Sequence, residues 1–278
     1  MNTEIKQGVE EDQNDSLNIR MSKIKHKIAI ISGKGGVGKT LVTVNLAVSL
    51  AMKGRNGRVG VFDADIHGPC VPKMLGMKGY HLEAGPPGIF PAFGPLNIRV
   101  VSMDFLLPSD DEPVIWRGPL KMGAIKQFLS EIVWGDLDYL LIDLPPGTGD
   151  EPLSVLQLIP NIDGVIIVTI PSDVSKDVVK KAISFARKMG APIIGIVENM
   201  SSLVCPHCGE RIEVFGKSGG EKMAIDKEVP FLGSIPLDPR ISIDSDSGIP
   251  FISEYRDSEA FKVFDSIVQK IEKFVEGK

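Results

Sequence analysis

Residues 27–40 read KIAIISGKGGVGKT, and this stretch decides the fold. An apolar run over 28–31 leads into G-x-x-x-x-G-K-T at 33–40, the phosphate-binding loop that joins a strand to a helix. Its glycines let backbone N–H groups turn inward around an anion, and the following helix adds its positive N-terminal end. The alternative, a glycine-rich turn without a ligand, would not require the strand and helix patterns on either side. The positions predicted to hold nucleotide are Gly33, Lys34, Gly35, Gly36, Val37, Gly38, Lys39, Thr40 and Leu41.

A magnesium site is predicted beside this loop. Lys39 can reach the β- and γ-phosphates, and the Thr40 hydroxyl can ligate Mg²⁺. The stretch YLLIDLPPGTGD (139–150) supplies a carboxylate, because its apolar run ends at Asp143. A carboxylate buried behind an apolar strand needs a partner, and a hydrated Mg²⁺ serves. The stiff prolines and permissive glycines of 145–149 predict a loop with two arrangements that depend on the γ-phosphate.

Two further carboxylates follow a third apolar run in VGVFDADIHGP (59–69). Hydrolysis needs a group that orients the attacking water, and we assign this role to Asp65. Asp63 is expected to support the Mg²⁺ shell or the loop, although either carboxylate could instead cap the next short helix. Lys34 is an extra cation in the phosphate loop. It either neutralises phosphate charge, in its own site or in a partner's, or is a solvated loop lysine.

The composition limits the class of protein. The chain has 278 residues, 43% of them hydrophobic, and a net charge of −5. Such an acidic balance argues against nucleic-acid binding, and the apolar runs are too short to span a bilayer. No secretory signal begins the chain, and three cysteines do not make a disulfide framework. We therefore expect a cytoplasmic protein with reduced thiols.

The alternation of apolar runs and amphipathic stretches predicts an α/β fold. Continuous Val/Ile/Leu runs are typical of parallel strands buried on both faces. We expect one domain over residues 25–278: a doubly wound, mainly parallel sheet of about seven or eight strands with the P-loop NTPase fold. Strands are predicted at 27–32, 58–63, 97–102, 138–143, 164–170, 192–198 and 231–235, and helices at 39–53, 118–133, 150–159, 174–189, 217–226 and 258–275.

Two segments are predicted to lack regular structure. Residues 1–24 are polar and acidic and read as a disordered tail. Residues 80–95 are rich in Gly and Pro and read as an irregular insert.

A metal loop is predicted at 203–210, which reads LVCPHCGE. Cys205 and Cys208 form C-x-x-C in a tight turn, which fits a zinc knuckle or an iron–sulfur site. A redox dithiol is disfavoured because it usually needs a thioredoxin-like context, and two inert thiols are the remaining alternative. Either metal prefers four ligands, and Cys70 lies far off in the sequence and reads as a buried thiol. Two chains about a two-fold axis would complete the site.

With these residues assembled, the chain resembles the Mrp/ApbC family of P-loop ATPases, which are iron–sulfur cluster carriers or scaffolds. The family belongs to a larger group that includes MinD, ParA and the nitrogenase iron protein. The resemblance covers roughly residues 25–274 and rests on several motifs: GKGGVGKT (33–40), DADIHGP (63–69), WRGP (116–119), DLPPGTGD (143–150), ENMS (198–201), CPHCG (205–209) and IPLDP (235–239).

The resemblance implies a homodimer that hydrolyses ATP slowly and delivers a [4Fe–4S] cluster to apo iron–sulfur proteins. Lys34 is similar to the lysine that crosses to the partner's phosphates. Asn199 corresponds to an adenine-contacting asparagine, with Pro236 and Asp238 nearby. Cys205 and Cys208 match the pair that bridges the cluster.

Other functions predict different features. A spatial regulator of the MinD/ParA kind would need a basic amphipathic segment or surface and has no use for CPHCG. An electron-transfer partner like the nitrogenase iron protein holds its cluster at different positions. A structural zinc clip in a P-loop ATPase dimer would use the same two thiols. ATP is favoured over GTP because Glu198–Asn199–Met200 stands where a guanine-reading N-K-x-D would be expected.

Overall fold

The fold is built on an eight-stranded sheet, seen in a computed structural model that describes residues 13–66, 68–106, 118–205 and 207–277. The strands, in chain order, are β1 (Ile24–Ser32), β2 (Val59–Asp63), β3 (Glu83–Gly85), β4 (Gly88–Phe90), β5 (Ala92–Phe93), β6 (Arg99–Ser102), β7 (Leu137–Asp143), β8 (Gly164–Thr169), β9 (Ile193–Glu198), β10 (Leu203–Val204), β11 (Arg211–Ile212) and β12 (Phe231–Ser234). The helices are α1 (13–22), α2 (Lys39–Met52), α3 (Val71–Met74), α4 (Gly118–Glu131), α5 (Asp150–Leu158), α6 (Asp173–Lys188), α7 (Gly220–Asp226), α8 (Pro239–Ser247), α9 (Phe251–Glu254) and α10 (Glu259–Glu276).

The large sheet has the strand order β12-β9-β8-β1-β7-β2-β6-β5. Every neighbouring pair is parallel except β5 and β6. Because β1, β7 and β2 are parallel neighbours, their carboxyl ends lie at one edge of the sheet. The strand order reverses around β1, and ligands bind at this position in such sheets. The predicted α/β fold with about seven or eight mainly parallel strands is confirmed.

A helical layer covers each face of the sheet. On one face α2 and α10 contact each other, and both bury apolar side chains against the strands, among them Val42, Leu46, Phe264 and Ile267. The other face is covered by α1, α4, α5, α6 and α7, which contribute Leu17, Leu129, Val155, Ile183 and Met223 to a second core. Because the central strands are buried on both faces, their sequences read as unbroken apolar runs.

The N-terminal segment differs from the prediction. Residues 13–22 form α1, in which Leu17 and Met21 are only 4% and 1% exposed. These side chains lie four residues apart, on one helix face, and the Ser16 hydroxyl donates to the Ser130 carbonyl. The prediction of a disordered tail to residue 24 is therefore wrong for 13–22. Residues 1–12 lie outside the described part of the chain.

The insert at 80–95 also contains regular structure that the prediction missed. β3 and β4 form an antiparallel hairpin, and β5 adds to the edge of the large sheet. Pro86 and Pro87 occupy the turn between β3 and β4, while Pro91 and Pro95 lie on either side of β5, so none of them removes a hydrogen bond from the pairing. At the other end of the chain, the predicted 258–275 helix is confirmed as α10. Among the described residues, no helix combines the length and apolar character needed to cross a membrane.

Candidate functional site

The phosphate loop lies between β1 and α2, and its backbone conformation depends on glycine. Gly36 and Gly38 have φ values of +76° and +77°, in the left-handed region that other residues rarely adopt. Gly38 precedes the first residue of α2. A Cβ atom on Gly38 would lie 2.2 Å from Nδ2 of Asn199, so a side chain at this position has no room. Because Gly36 and Gly38 have no side chains, the backbone of the loop is accessible to a ligand.

Asn199 lies against the phosphate loop although it is far away in the sequence. It follows β9 directly, and its backbone N–H donates to the Thr169 carbonyl, which holds it at the sheet edge. Its Nδ2 atom donates to the Val37 carbonyl at 3.0 Å. The structure therefore brings Asn199 to the nucleotide loop. The predicted contact of Asn199 with the base is not tested by this arrangement.

Asp143 is the point where the phosphate loop and β7 meet. Its carboxylate is fully buried and accepts hydrogen bonds from the hydroxyls of Thr40, at 2.6 Å, and Thr43, at 2.7 Å. Lys39 Nζ lies 2.7 Å from Oδ2 of the same carboxylate. This contact lacks the alignment of a hydrogen bond, so the buried ammonium has no hydrogen-bond acceptor among the described residues. A phosphate oxygen is the acceptor that such a group requires.

The same cluster fits a magnesium ion. Mg²⁺ prefers oxygen ligands and binds through one or two protein groups plus phosphate oxygens and waters. Thr40 Oγ1 and the Asp143 carboxylate already converge, and Thr43 holds the carboxylate from the opposite side. Sequence reasoning missed Thr43. Its signal is a second hydroxyl three residues after Thr40, on the same face of α2.

Asp63 lies beside Asp143 in the register of β2 and β7. It is completely buried, and its carboxylate accepts hydrogen bonds from the N–H groups of Asp65 and Val71 and from the Ser102 hydroxyl. Burial, and then the charge of Asp143, raise its pKa to about 8 against the opposing effect of Lys39. Asp63 therefore holds the backbone at Asp65 and at Val71, the first residue of α3, which agrees with the loop-supporting and helix-capping alternatives.

Asp65 and Lys34 are more accessible than Asp63 and Lys39. Asp65 is half-buried, and its Oδ1 atom accepts a hydrogen bond from the Gly68 N–H. Lys34 is also half-buried and forms no ion pair with any residue that the structure describes. Both residues follow strands that end at the nucleotide edge, and their predicted roles stay predictions.

A second loop contacts the start of the phosphate loop. The Gly147 N–H donates to the Ser32 carbonyl at 2.9 Å, and Gly147 has a φ of +99°. This contact places residues 144–149, directly after Asp143, against the nucleotide edge. That residues 145–149 adopt two arrangements, depending on the γ-phosphate, remains a prediction.

The base-contacting segment proposed for Pro236 and Asp238 follows β12. Pro236 is buried, and Asp238 caps α8 by accepting from the Arg240 N–H at 3.0 Å. The guanidinium of Arg240 also binds this carboxylate and lowers its pKa. Asp238 thus has a structural task in addition to any contact with the base.

The cysteine pair lies on an antiparallel hairpin made of β10 and β11. The Cys205 N–H donates to the Glu210 carbonyl, and the Gly209 N–H donates to the Cys205 carbonyl, both at 2.9 Å. Cys205 is half-buried and Cys208 exposed, and both are free thiols. Backbone N–H groups of Cys208 and His207 lower the pKa of Cys205, which favours the metal-binding thiolate.

This hairpin cannot complete a four-ligand site alone. No group of three or more His, Cys, Asp or Glu side chains suited to a metal occurs among the described residues. Cys70, which was expected to be buried, is half-buried, and it belongs to the loop held by Asp63. Two thiolates therefore remain available for an external group or for a second chain.

A short backbone path links the cysteine hairpin to the nucleotide edge. Residues 200–204 run directly from Asn199 into β10, alongside the 235–237 segment. Ser201 N–H donates to the Ile235 carbonyl, Leu237 N–H donates to the Ser202 carbonyl, and Leu203 pairs with Leu237 in a parallel bridge. The segments that carry Asn199, Pro236 and Cys205 are thus hydrogen-bonded to one another.

The fold and the loop chemistry together define a P-loop NTPase. Residues 23–272 match the ParA family model, described as NUBPL iron-transfer P-loop NTPase, and the chain belongs to this family. This result confirms the resemblance seen in the motifs. A curated relative from Methanocaldococcus jannaschii, named iron-sulfur cluster carrier protein, is 55% identical over 266 residues, which cover 96% of this chain and 90% of the relative.

Two solved structures share the fold. A nucleotide-binding protein from Archaeoglobus fulgidus in complex with ADP is 39% identical, has a TM-score of 0.78, and is matched over 90% of this chain and 96% of its own. The septum site-determining protein MinD from Pyrococcus horikoshii, complexed with Mg-ADP, is 25% identical with a TM-score of 0.68, over 89% of this chain and 96% of its own.

Proposed function

We propose that this protein is an ATP-binding and ATP-hydrolysing carrier of iron–sulfur clusters. The cluster, as cargo, is held by Cys205 and Cys208 of two chains and passed to apo iron–sulfur proteins. The observation that carries the proposal is the pairing, in one domain, of the Lys39–Asp143–Thr40 cluster with two free thiols on a hairpin. The carrier named in Methanocaldococcus jannaschii supports the cargo.

The residues of the nucleotide site divide the work of hydrolysis. Lys39 offers its unpaired N–H groups to the β- and γ-phosphates, and Lys34 adds charge in its own site or across the dimer. Thr40 and Asp143 would hold Mg²⁺, and the ion would neutralise charge on the phosphate oxygens. Asp65 orients the water that attacks the γ-phosphorus as its bond to the β–γ bridging oxygen breaks. Asn199, Pro236 and Asp238 bind the base.

The hairpin suits a site shared by two chains. Val204 and Ile212, in its two strands, are 39% and 46% exposed. Exposed apolar side chains beside the two thiols would suit a surface that a second chain covers. A two-fold axis through this surface would bring four thiolates together, the ligand count of a [4Fe–4S] cluster. Free, accessible thiols also agree with a reducing compartment, and we place the protein in the cytoplasm.

The bound nucleotide affects how tightly the cluster is held, and the backbone path between Asn199 and Cys205 transmits this effect. The 200–204 and 235–237 segments connect the proposed base site to β10. A change in the position of either segment on ATP binding would shift the hairpin, because hydrogen bonds join them. We therefore expect ATP binding or hydrolysis to change the rate at which the cluster leaves.

Cluster transfer tests the proposal. Protein loaded anaerobically is mixed with an apo ferredoxin, and the spectrum of the recipient is followed with and without MgATP. We expect transfer from the parent protein, a rate that depends on MgATP, and no transfer from Cys205→Ser/Cys208→Ser. The Lys39→Ala variant should load cluster yet lose the dependence on ATP. A double-serine variant that transfers cluster as well as the parent would refute the proposal.

A further inference from the structure

A cavity of about 740 Å³ lies between α6 and α7, behind the loop that follows the cysteine hairpin. Lysines contribute much of its lining: Lys180 from α6, Lys217 from the loop, and Lys222 and Lys227 from α7 and its C-terminal end. Asp226 also lines the cavity. This concentration of positive charge contrasts with the net charge of −5 for the chain. The cavity therefore favours an anionic ligand.

Three of these lysines form no ion pair with a residue that the structure describes. Lys180 pairs with Asp177 at 2.9 Å. Lys217, Lys222 and Lys227 form no ion pair with a described residue, and Lys217 and Lys222 are exposed. Four lysines that face one cavity repel one another, and an anion in the cavity would relieve that repulsion.

The loop wall of the cavity is held firmly in place. Glu198 ends β9, is only 1% exposed, and accepts hydrogen bonds from the N–H groups of Gly219, at 3.0 Å, and Gly220, at 2.7 Å. The Ser218 hydroxyl donates to the same carboxylate. These three hydrogen bonds satisfy the Glu198 carboxylate within the protein. The wall that carries Lys217 is therefore fixed to the same strand that positions Asn199.

An exposed apolar strip runs from the cysteine hairpin to this cavity. Val214 and Phe215, which follow β11, are 47% and 43% exposed, and Phe215 also lines the cavity. A small anion would use the lysines but not this strip. A polypeptide with both acidic and apolar side chains would use both surfaces, which include the segment directly after the cysteine hairpin.

We propose that the lysine-lined cavity binds an acidic segment of the protein that receives the cluster, with apolar side chains of that segment on Val214 and Phe215. This inference rests on the proposed carrier function, which supplies the recipient. Charge complementarity and continuity with the thiol hairpin favour this occupant. Binding at this position would keep the recipient's own ligands beside the cluster during transfer.

The test uses full-length, metal-free protein and a short fluorescent peptide rich in glutamate that also carries leucine. Fluorescence anisotropy measures its Kd for the parent, for Lys217→Gln/Lys222→Gln, and for a control, Lys262→Gln/Lys273→Gln, which loses the same charge from exposed positions on α10. We expect the cavity variant to bind about three- to tenfold more weakly, and the control to match the parent. Added salt should weaken binding to the parent more than to the cavity variant.

Several outcomes would overturn the proposal. Equal affinity in the cavity and control variants would show that the peptide reads overall charge only. Displacement of the peptide by pyrophosphate at a similar concentration would assign the cavity to a small anion. A change in molecular mass by light scattering, confined to the cavity variant, would assign it to a second copy of this chain.

The docking site and the proposed carrier function can be tested independently. Peptide binding requires no cluster, so Cys205→Ser/Cys208→Ser should bind the peptide as the parent does. A lysine variant that loads cluster normally but transfers it slowly to an acidic recipient would support the docking site. If the lysine variant transferred at the parental rate, docking at this cavity would be excluded, although the carrier function would stand.

Discussion

The Lys39 ammonium lies 2.7 Å from the Asp143 carboxylate, although it makes no aligned hydrogen bond to it. One residue comes from the phosphate loop and the other from the end of β7, so this ion pair joins the two halves of the nucleotide site. Both groups are buried, and each would be costly to leave alone. In the absence of nucleotide, Lys39 and Asp143 satisfy part of each other's charge, and a bound phosphate with its metal ion would take over that task.

Replacement of Lys39 by alanine should abolish most of the affinity for ATP. The ammonium is the charged donor whose acceptor is missing, and such a hydrogen bond contributes about 1.5–3 kcal/mol, or roughly ten- to a hundredfold in Kd. Titration calorimetry with MgATP measures the loss, and circular dichroism checks that the fold persists. Lys53→Ala, at the opposite end of α2, is the matched control. Undiminished ATP affinity in Lys39→Ala would contradict the assignment.

The two threonines that bind Asp143 should respond differently to valine. Thr43 is completely buried, so Thr43→Val leaves Asp143 short of a donor and should lower the free energy of unfolding by about 1–3 kcal/mol. Thr40→Val should instead weaken nucleotide binding in magnesium but not in EDTA. Urea unfolding and nucleotide titrations separate the two effects. Equal loss of affinity in EDTA and magnesium would remove Thr40 from the metal site.

Gly38 should tolerate alanine far less well than Gly35. Gly38 has a φ of +77° and no room for a Cβ beside Asn199, whereas a Cβ on Gly35 meets nothing within 4 Å. A left-handed non-glycine residue costs about 1–3 kcal/mol, and a contact-free surface change usually stays within about 0.5 kcal/mol. Urea unfolding of the nucleotide-free variants compares them. Similar stability of Gly38→Ala and Gly35→Ala would contradict the loop geometry.

Asp63 should make stability depend on pH. Its pKa is raised to about 8 in the folded chain, mainly by burial, from 3.8 in the unfolded chain. Between these values the folded chain carries an extra proton, so this group lowers the free energy of unfolding as pH rises, by roughly 1 kcal/mol per pH unit. Asp63→Asn, which cannot titrate, should therefore gain stability relative to the parent between about pH 4 and pH 8.

Urea unfolding of nucleotide-free protein at several pH values measures this difference. The relative gain should level off above about pH 8, where Asp63 is ionised in both states. A difference between Asp63→Asn and the parent that stays constant with pH would show that the folded chain does not hold Asp63 protonated.

The central sheet and nucleotide loop could be predicted because local signals and global fold agree there. The run 28–31, the glycines of 33–38 and the strand-end Asp143 each specify a conformation on their own. The predicted start of β1 at 27 was still three residues late, since Ile24 pairs with Leu137 through a tertiary contact. The role of Thr43 was missed for a similar reason, because it depends on where β7 ends relative to α2.

Short or long-range features escaped prediction. Helix α1 depends on Leu17 and Met21 finding a core that is distant in sequence, so its polar composition alone indicated disorder. The β10–β11 hairpin has two residues in each strand, too few to show a period. The lysine-lined cavity combines residues from α6, α7 and the intervening loop. The sequence alone cannot show that Lys180 and Lys222 line the same cavity.

The most direct test of the account is the iron content and molecular mass of protein reconstituted under strict exclusion of oxygen. We predict about four irons per two chains, a dimer by light scattering, and loss of both in Cys205→Ser/Cys208→Ser. The Lys262→Gln/Lys273→Gln variant should retain the full iron content. Iron that persists in the double-serine variant, or zinc without iron in the parent, would contradict a cluster held by the paired thiols of two chains.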